Sequence, residues 1–213
     1  MTPEELGALR ADYAGTPLDV TDVDPDPFIQ FQAWFTEARA AEVREPEAMA
    51  LATADTTGMP SVRFVLLRAL DDRGFGFVTN LGSRKGTDVS TNPRAALAFH
   101  WPEVMRQVRA HGVVRPMEAD VVDRYFASRP LEARWSAWAS PQGQVIPDRE
   151  WLERRVLEVQ REHGDTPERP DHWSGFVVLP DEVEFWQGRP GRLHDRVRYR
   201  RVDNAWVIER LAP

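Results

Sequence analysis

The 213-residue sequence contains no cysteine, which removes disulfides, thiol nucleophiles and thiolate metal sites together. It is almost without lysine: of 27 basic residues, only Lys85 is not arginine. It has no apolar run approaching the roughly 20 residues that cross a bilayer. Its opening stretch, MTPEELGALRADY, carries neither the basic nor the apolar region of a signal peptide. A soluble cytoplasmic protein is expected. Positive charge is not in excess either, and the net charge of −7 argues against a general nucleic-acid or anionic-membrane binder. The sequence lacks a GxGxxG fingerprint and a Walker-type loop, so any bound nucleotide must be held by another design. His100, His111, His163 and His172 show no metal-ligand spacing, and no metal is expected.

What the chain does have is a short-strand texture after one aromatic helix. Residues 1–27 are acidic and proline-bearing and read as a mobile arm. Asp26-Pro27 opens a helix, and Phe28, Phe31, Trp34, Phe35, Ala38 and Ala41 follow on one apolar face, a core stripe. From residue 48 come AMALATA, SVRFVLLRAL, FGFVT, RAALAFHW and MRQVRAHGVVRPM, separated by turns, as strands of an antiparallel meander. Helices are expected over 118–130, 131–140 and 148–164, and strands again at GFVVLP, EVEFWQG, RVRYRRV and AWVIERL. The expectation is one α+β domain over residues 28–213, built on a small antiparallel Greek-key-like barrel with flanking helices.

Two stretches gather chemistry. In TNLGSRKG (79–86), glycine lets the backbone approach a ligand, Ser83 can cap a helix, and Arg84 with Lys85 adds two charges where free N–H groups favour an anion. In EFWQGRPGRLHDRVRY (184–199), Trp186 runs into Arg192, His194, Asp195, Arg196 and Arg198. Either that stretch is a solvated turn, or it is a wall around an anionic aromatic ligand. Arg63, flanked by apolar residues, and Gln107, inside another strand, are polar groups that need partners.

The set RFVLLR, FVTNLGSRKG, MRQV, YFASRP, SAWASPQG, EFWQGRPGRLHDRVRY and ERLAP resembles the pyridoxine (pyridoxamine) 5′-phosphate oxidase family, with the motifs in the same order from about Asp26 to Pro213. The resemblance implies an FMN-binding split barrel and a homodimer with flavin sites at the interface. It implies oxidation of a phosphorylated pyridine, a vitamin B6 phosphate, by dioxygen. Residue by residue it assigns Arg63, Phe64, Val65, Leu66, Leu67, Arg68, Val78 and Thr79 to the FMN, and Arg84 and Lys85 to its phosphate. Gln107, Gln142, Gly143, Trp186 and Arg196 complete that set. To the substrate it assigns Arg68, Tyr125, Arg129 and position 133 at the phosphate. Arg192, Leu193 and His194 fall at the pyridine, with Arg10 and Tyr13 from the arm. Arg192 and His194 are the catalytic pair: the arginine orients the reacting group and steadies developing negative charge. His194 is a hydrogen-bond partner or proton acceptor.

The departures fall on the substrate side. Arg68 stands where the family has lysine, and Ala133 where it has serine in an Arg-Pro-x-x-Ser-Gln run. The segment LDVTDVD is acidic where relatives carry arginines. Two other readings therefore accompany the B6-phosphate oxidase: a relative acting on another reduced ring, as in phenazine biosynthesis, and a non-catalytic flavin- or pyridoxal-phosphate-binding protein.

Overall fold

The structure, a computed structural model, describes residues 2–7 and 12–213. Helix α1 (Pro3–Gly7) is followed by α2 (Pro27–Ala40), which starts as its sequence requires. The Asp26 carboxylate accepts from Phe28 N at 2.7 Å, and Pro27 fills the first turn, where a missing N–H costs nothing. The strands are β1 (Ala48–Ala54), β2 (Pro60–Leu66), β3 (Ala69–Leu70), β4 (Phe75–Asn80), β5 (Arg94–Trp101), β6 (Arg106–Pro116), β7 (Trp173–Gln187), β8 (Asp195–Val202) and β9 (Ala205–Arg210). Helices α3 (Arg84–Thr91), α4 (Ala119–Ser128), α5 (Leu131–Ala139) and α6 (Arg149–His163) complete the α+β set. The strands form one sheet in the order β2-β1-β5-β6-β7-β4-β3, and β8 pairs with β7 and with β9.

Two sequence expectations shift. SVRFVLLRAL is two strands, because the chain breaks at Leu67-Arg68, where Arg68 N donates to Gly76 O instead of continuing the β2 ladder. GFVVLP and EVEFWQG are one 15-residue strand, β7. Its first half pairs with β4 up to Val178 and its second half with β8 from Glu182. Pro180 falls in the gap between the two ladders, where its missing N–H breaks neither.

The chain divides into two compact units, one of Met1–Ala50, Leu97–His111 and Pro180–Pro213, the other of Leu51–Ala96 and Gly112–Leu179. The first is centred on the aromatic stripe of α2. Phe31 lies 4.8 Å from Phe99, Trp34 5.2 Å from Phe185, and Phe185 5.4 Å from Tyr199, ring centre to ring centre. Tyr199 is fully buried and donates to Asp24 O at 2.6 Å, and burial raises its pKa. The second unit packs Val122, Phe126, Ala137 and Trp173 together, with Val78, Met117 and Tyr125 against them. Gly175 lets Met117 pack closely there: a Cβ at that position would stand 2.6 Å from Met117 Sδ. No helix among the described residues is long and apolar enough to cross a membrane.

Candidate active site

The second unit contains a cleft of about 440 Å³. The end of β2 and the β2–β3 break supply Phe64, Val65, Leu66 and Arg68. Strand β4 supplies Val78, Thr79 and Asn80, and α3 supplies Lys85. Tyr125, Arg129, Ser136, Ala137, Ser140, Gln142 and Trp173 form the opposite part of the wall. The lining holds three cations and no carboxylate.

Lys85 and Arg129 are flanked by neutral groups. Ser83 caps α3, its Oγ accepting from Gly86 N at 3.4 Å. Lys85 Nζ donates to Ser83 Oγ at 3.2 Å and to Gln142 Oε1 at 3.0 Å. Burial lowers the Lys85 pKa, and the nearby Arg63 charge adds to this. Arg129 lies with its guanidinium carbon 4.8 Å from the centre of the Trp173 ring and 5.7 Å from that of Phe126. The Arg129 Nη1 is buried and has no hydrogen-bond partner. Burial lowers the Arg129 pKa as well, and the Arg68 charge pushes the same way. Tyr125 stacks on Trp173 at 6.1 Å with planes 5° apart, and Arg68 sits 6.0 Å over the Tyr125 ring. Arg129 thus keeps a half-buried guanidinium with an unused donor beside the exposed Arg68, an arrangement that a bound anion would stabilise. Apolar Val65, Leu66 and Val78 beside it suit a flat ring.

Arg63 is not in the cleft lining. Its Nη1 donates to Leu51 O at 3.1 Å and Thr53 Oγ1 at 2.8 Å, its Nη2 donates to Ser61 Oγ at 2.5 Å, and Asp88 lies 3.9 Å away. Leu67, Arg84, Gly143 and Ala133 are not in the cleft lining either. Arg84 is exposed on the first turn of α3, Gly143 has φ +89° in a turn, and Ala133 lies in the first turn of α5.

The remaining described residues that the sequence marks out belong to the first unit. His194 stands 4.5 Å from Trp186 and 5.1 Å from Tyr13, ring centre to ring centre, and Arg192 lies 5.6 Å over the Tyr13 ring. Arg189 N donates to His194 Nδ1 at 3.1 Å. The neutral ring therefore carries its proton on Nε2. Burial lowers the His194 pKa and the Arg192 charge lowers it further, so the neutral form is the one favoured near pH 7. Leu193 is exposed beside it, and Gln107 is half-buried on β6. Arg10 lies outside the described residues.

Arg196 is held by Glu184, Nε to Oε1 at 2.8 Å and Nη2 to Oε2 at 3.0 Å, and its Nη1 donates to Ala212 O at 2.8 Å. Arg109 also donates to Glu184. Burial alone would raise the Glu184 carboxyl, but the hydrogen bonds from Arg196 and Arg109 hold it below its usual range. Arg198 pairs across the sheet with Glu209 at 2.6 Å and Glu182 at 3.4 Å. The cations of 184–199 thus have two roles: Arg196 and Arg198 are paired with carboxylates, whereas Arg192 joins the neutral His194 in a cage with aromatic rings.

Residues 35–163 match the protein family described as pyridoxamine 5′-phosphate oxidase. Residues 173–213 match the pyridoxine 5′-phosphate oxidase C-terminal dimerisation region. The chain belongs to the pyridoxamine 5′-phosphate oxidase family. The pyridoxine/pyridoxamine 5′-phosphate oxidase of Ralstonia pickettii is 53% identical over 209 residues, covering 98% of this chain and 99% of its own. That of Salinibacter ruber is 55% identical with the same coverage. Among solved structures, PhzG from Burkholderia lata, in complex with tetrahydrophenazine-1-carboxylic acid, superposes with a TM-score of 0.89 at 32% identity, over 95% of this chain and 100% of that one. A pyridoxamine 5′-phosphate oxidase-related, FMN-binding protein from Nostoc punctiforme shares the fold alone, with a TM-score of 0.70 at 18% identity over 86% of this chain and 97% of that one. The family fold is the expected split barrel, an antiparallel sheet with flanking helices.

Against the family motifs, the sequence reading missed Asn80, Ser136, Ser140 and Trp173 in the cleft and Glu184 behind Arg196. Two signals were available. Ser136 lies one helical turn after Ala133 and seven residues after Arg129. Glu184, inside the apolar run VEFW, is a carboxylate that burial obliges to find cations.

Proposed function

We propose that the protein is an FMN-dependent oxidase of the alcohol or amine at C4′ of pyridoxine and pyridoxamine 5′-phosphates, giving pyridoxal 5′-phosphate. For the alcohol, two electrons and two protons leave the CH2OH group and reach dioxygen as hydrogen peroxide. For the amine, water adds to the oxidised carbon and ammonia leaves. The observation that carries this reading is the carboxylate-free cleft with its buried, unpartnered Arg129 donor.

The residues present fit a flavin mononucleotide. Val65, Leu66 and Val78 offer an apolar wall for a ring system, and Thr79 and Gln142 offer polar groups at its edge. The Ser83-capped start of α3, with Lys85 and the adjacent Arg84, offers N–H groups and charge for its phosphate. Bound there, the flavin supplies a two-electron acceptor that dioxygen regenerates. Arg68, Tyr125 and Arg129 bind the substrate phosphate as a charge-assisted set. Arg192 and the Nε2–H of His194 hold the pyridine end, His194 as a donor because its Nδ1 is already engaged. The Trp186 and Tyr13 rings exclude water beside them. The assembly is a cytoplasmic homodimer with flavin sites at its interface, a reading supported by the match to the dimerisation region.

Peroxide release is measured with pyridoxine 5′-phosphate, pyridoxamine 5′-phosphate and a dihydrophenazine, using protein whose bound flavin is identified after denaturation. Turnover of the two phosphates is the expected result. Turnover of the dihydrophenazine alone would move the assignment to the PhzG-like reaction, which Ala133 and the PhzG likeness favour. Loss of all turnover in yellow protein would leave a non-catalytic binder.

A further inference from the structure

Arg210 is far from Tyr13 in sequence, yet its side chain is the hub that joins the N-terminal segment to the His194 turn. Its Nη2 donates to Leu18 O at 2.9 Å and to Asp19 Oδ2 at 2.7 Å, and its Nη1 donates to Asp195 Oδ1 at 2.9 Å. The other oxygen of Asp195 accepts from Leu18 N at 3.1 Å and lies 3.3 Å from Arg189 Nε. Arg189 closes the circuit twice, donating from Nη1 to Gly15 O and from its backbone N to His194 Nδ1. Hydrogen bonds from Arg210 hold the Asp19 carboxyl below its usual range.

The segment is also shaped to lie there. A Cβ on Gly15 would stand 2.1 Å from Gln187 Nε2 and 2.6 Å from Gly188 O, and a Cβ on Gly188 would stand 2.4 Å from Tyr13 Cδ1. Two glycines therefore let residues 13–15 press against the end of β7, and Tyr13 lands edge-on against both Trp186 and His194. Single exposed ion pairs add little. Here one planar guanidinium satisfies three acceptors on two parts of the chain, which is a directional constraint as well as an attraction.

We propose that Arg210 is a positioning residue, a latch that through Asp19, Leu18 and Asp195 holds the 13–19 segment so that Tyr13 and His194 are preset for the pyridine end of the substrate. The kinetic part of this inference rests on the oxidase reading, whereas the latch itself does not. The test uses flavin-loaded full-length protein as wild type, Arg210→Met, Arg210→Lys and Asp19→Asn. Hydrogen exchange is followed over the peptide containing Leu18, together with steady-state kinetics on pyridoxine 5′-phosphate. Arg210→Met and Asp19→Asn are expected to speed exchange in that peptide. They should raise KM about fivefold to tenfold, the scale of one or two lost charge-assisted contacts, with kcat within about twofold and flavin content unchanged. Arg210→Lys, which keeps charge but not the fork, should recover part of both effects.

Unchanged exchange in Arg210→Met and Asp19→Asn would overturn the latch. Faster exchange with an unmoved KM would overturn its link to the substrate. If Arg210→Met does not fold, the exposed Asp19→Asn decides alone. A wild type without turnover would sink the oxidase reading, and exchange would then decide whether the latch stands.

Discussion

Arg129 and Glu184 are opposite solutions to the cost of placing charge away from water. Glu184 is 3% exposed and meets its cost within the chain, through Arg196 and Arg109. Because folding favours its ionised form, the stabilisation is fully present above the usual carboxylate range and disappears as pH falls through the depressed value. Glu184→Gln should therefore cost about 3 kcal/mol at pH 7, the scale of a broken buried pair, and should flatten the loss of stability below about pH 5. Urea melts of both proteins at several pH values measure this; parallel pH profiles would contradict it. Arg129 keeps a buried donor unused, and we assign that donor to the substrate phosphate. Arg129→Ala is expected to raise KM for pyridoxine 5′-phosphate by about tenfold or more, with little effect on unphosphorylated pyridoxine. Ala133→Ser, adding a hydroxyl in the first turn of α5, should lower that KM. Equal rates on both substrates, untouched by either change, would remove the phosphate assignment.

At the level of elements, α3 links sequence to cofactor most directly. It is eight residues long, its start is fixed by Ser83, and Gly86 is obligatory, since a Cβ there would stand 2.4 Å from Leu81 O. That close packing brings Lys85 into the cleft wall while Arg84 stays exposed. Lys85→Ala combined with Arg84→Ala should weaken FMN by about a hundredfold, yet leave riboflavin, which has no phosphate, within a few-fold. Fluorescence quenching titrations compare the two ligands, and equal losses would place the cations away from the phosphate. Local signals of this kind were legible in the sequence: the Asp26 cap, the α2 stripe from Phe28 to Ala38, and the β1 and β5 bounds, which the structure reproduces, whereas Ala41, expected on the stripe, is the exposed C-cap of α2. What local pattern does not carry is pairing. Pro180 reads as a strand end, but it sits in the gap between two ladders of one long strand. Arg63 reads as a ligand residue by motif, and its guanidinium also meets Ser61 on its own strand and Leu51 O and Thr53 on β1, partners of which only the first is near in sequence.

For the whole molecule, the sites that the motifs mark out fall in two sets. One lines the cleft with Arg68, Lys85 and Arg129, and the other surrounds His194 with Trp186, Tyr13 and Arg192. The family motifs named most of these residues, but no spacing along the chain could say which belong together. Strand β2 adds a separate feature. It ends the sheet order, and its outward face leaves Val62 70% and Phe64 78% exposed, with Met59 just before it at 59%. An apolar edge strand left in water is a pairing hazard that stable proteins cover. In the proposed homodimer a second copy would cover it, and flavin sites at the interface would make assembly and cofactor retention one equilibrium. Val62 is absent from the cleft lining, so Val62→Asp tests whether the β2 face is that interface. A buried, unpaired carboxylate costs several kcal/mol, so the variant should weaken the dimer by about a hundredfold or more. Light scattering across micromolar concentrations, read together with bound flavin, should show dimer and flavin lost in parallel. A monomeric Val62→Asp that keeps its flavin would separate the two and refute sites shared between subunits.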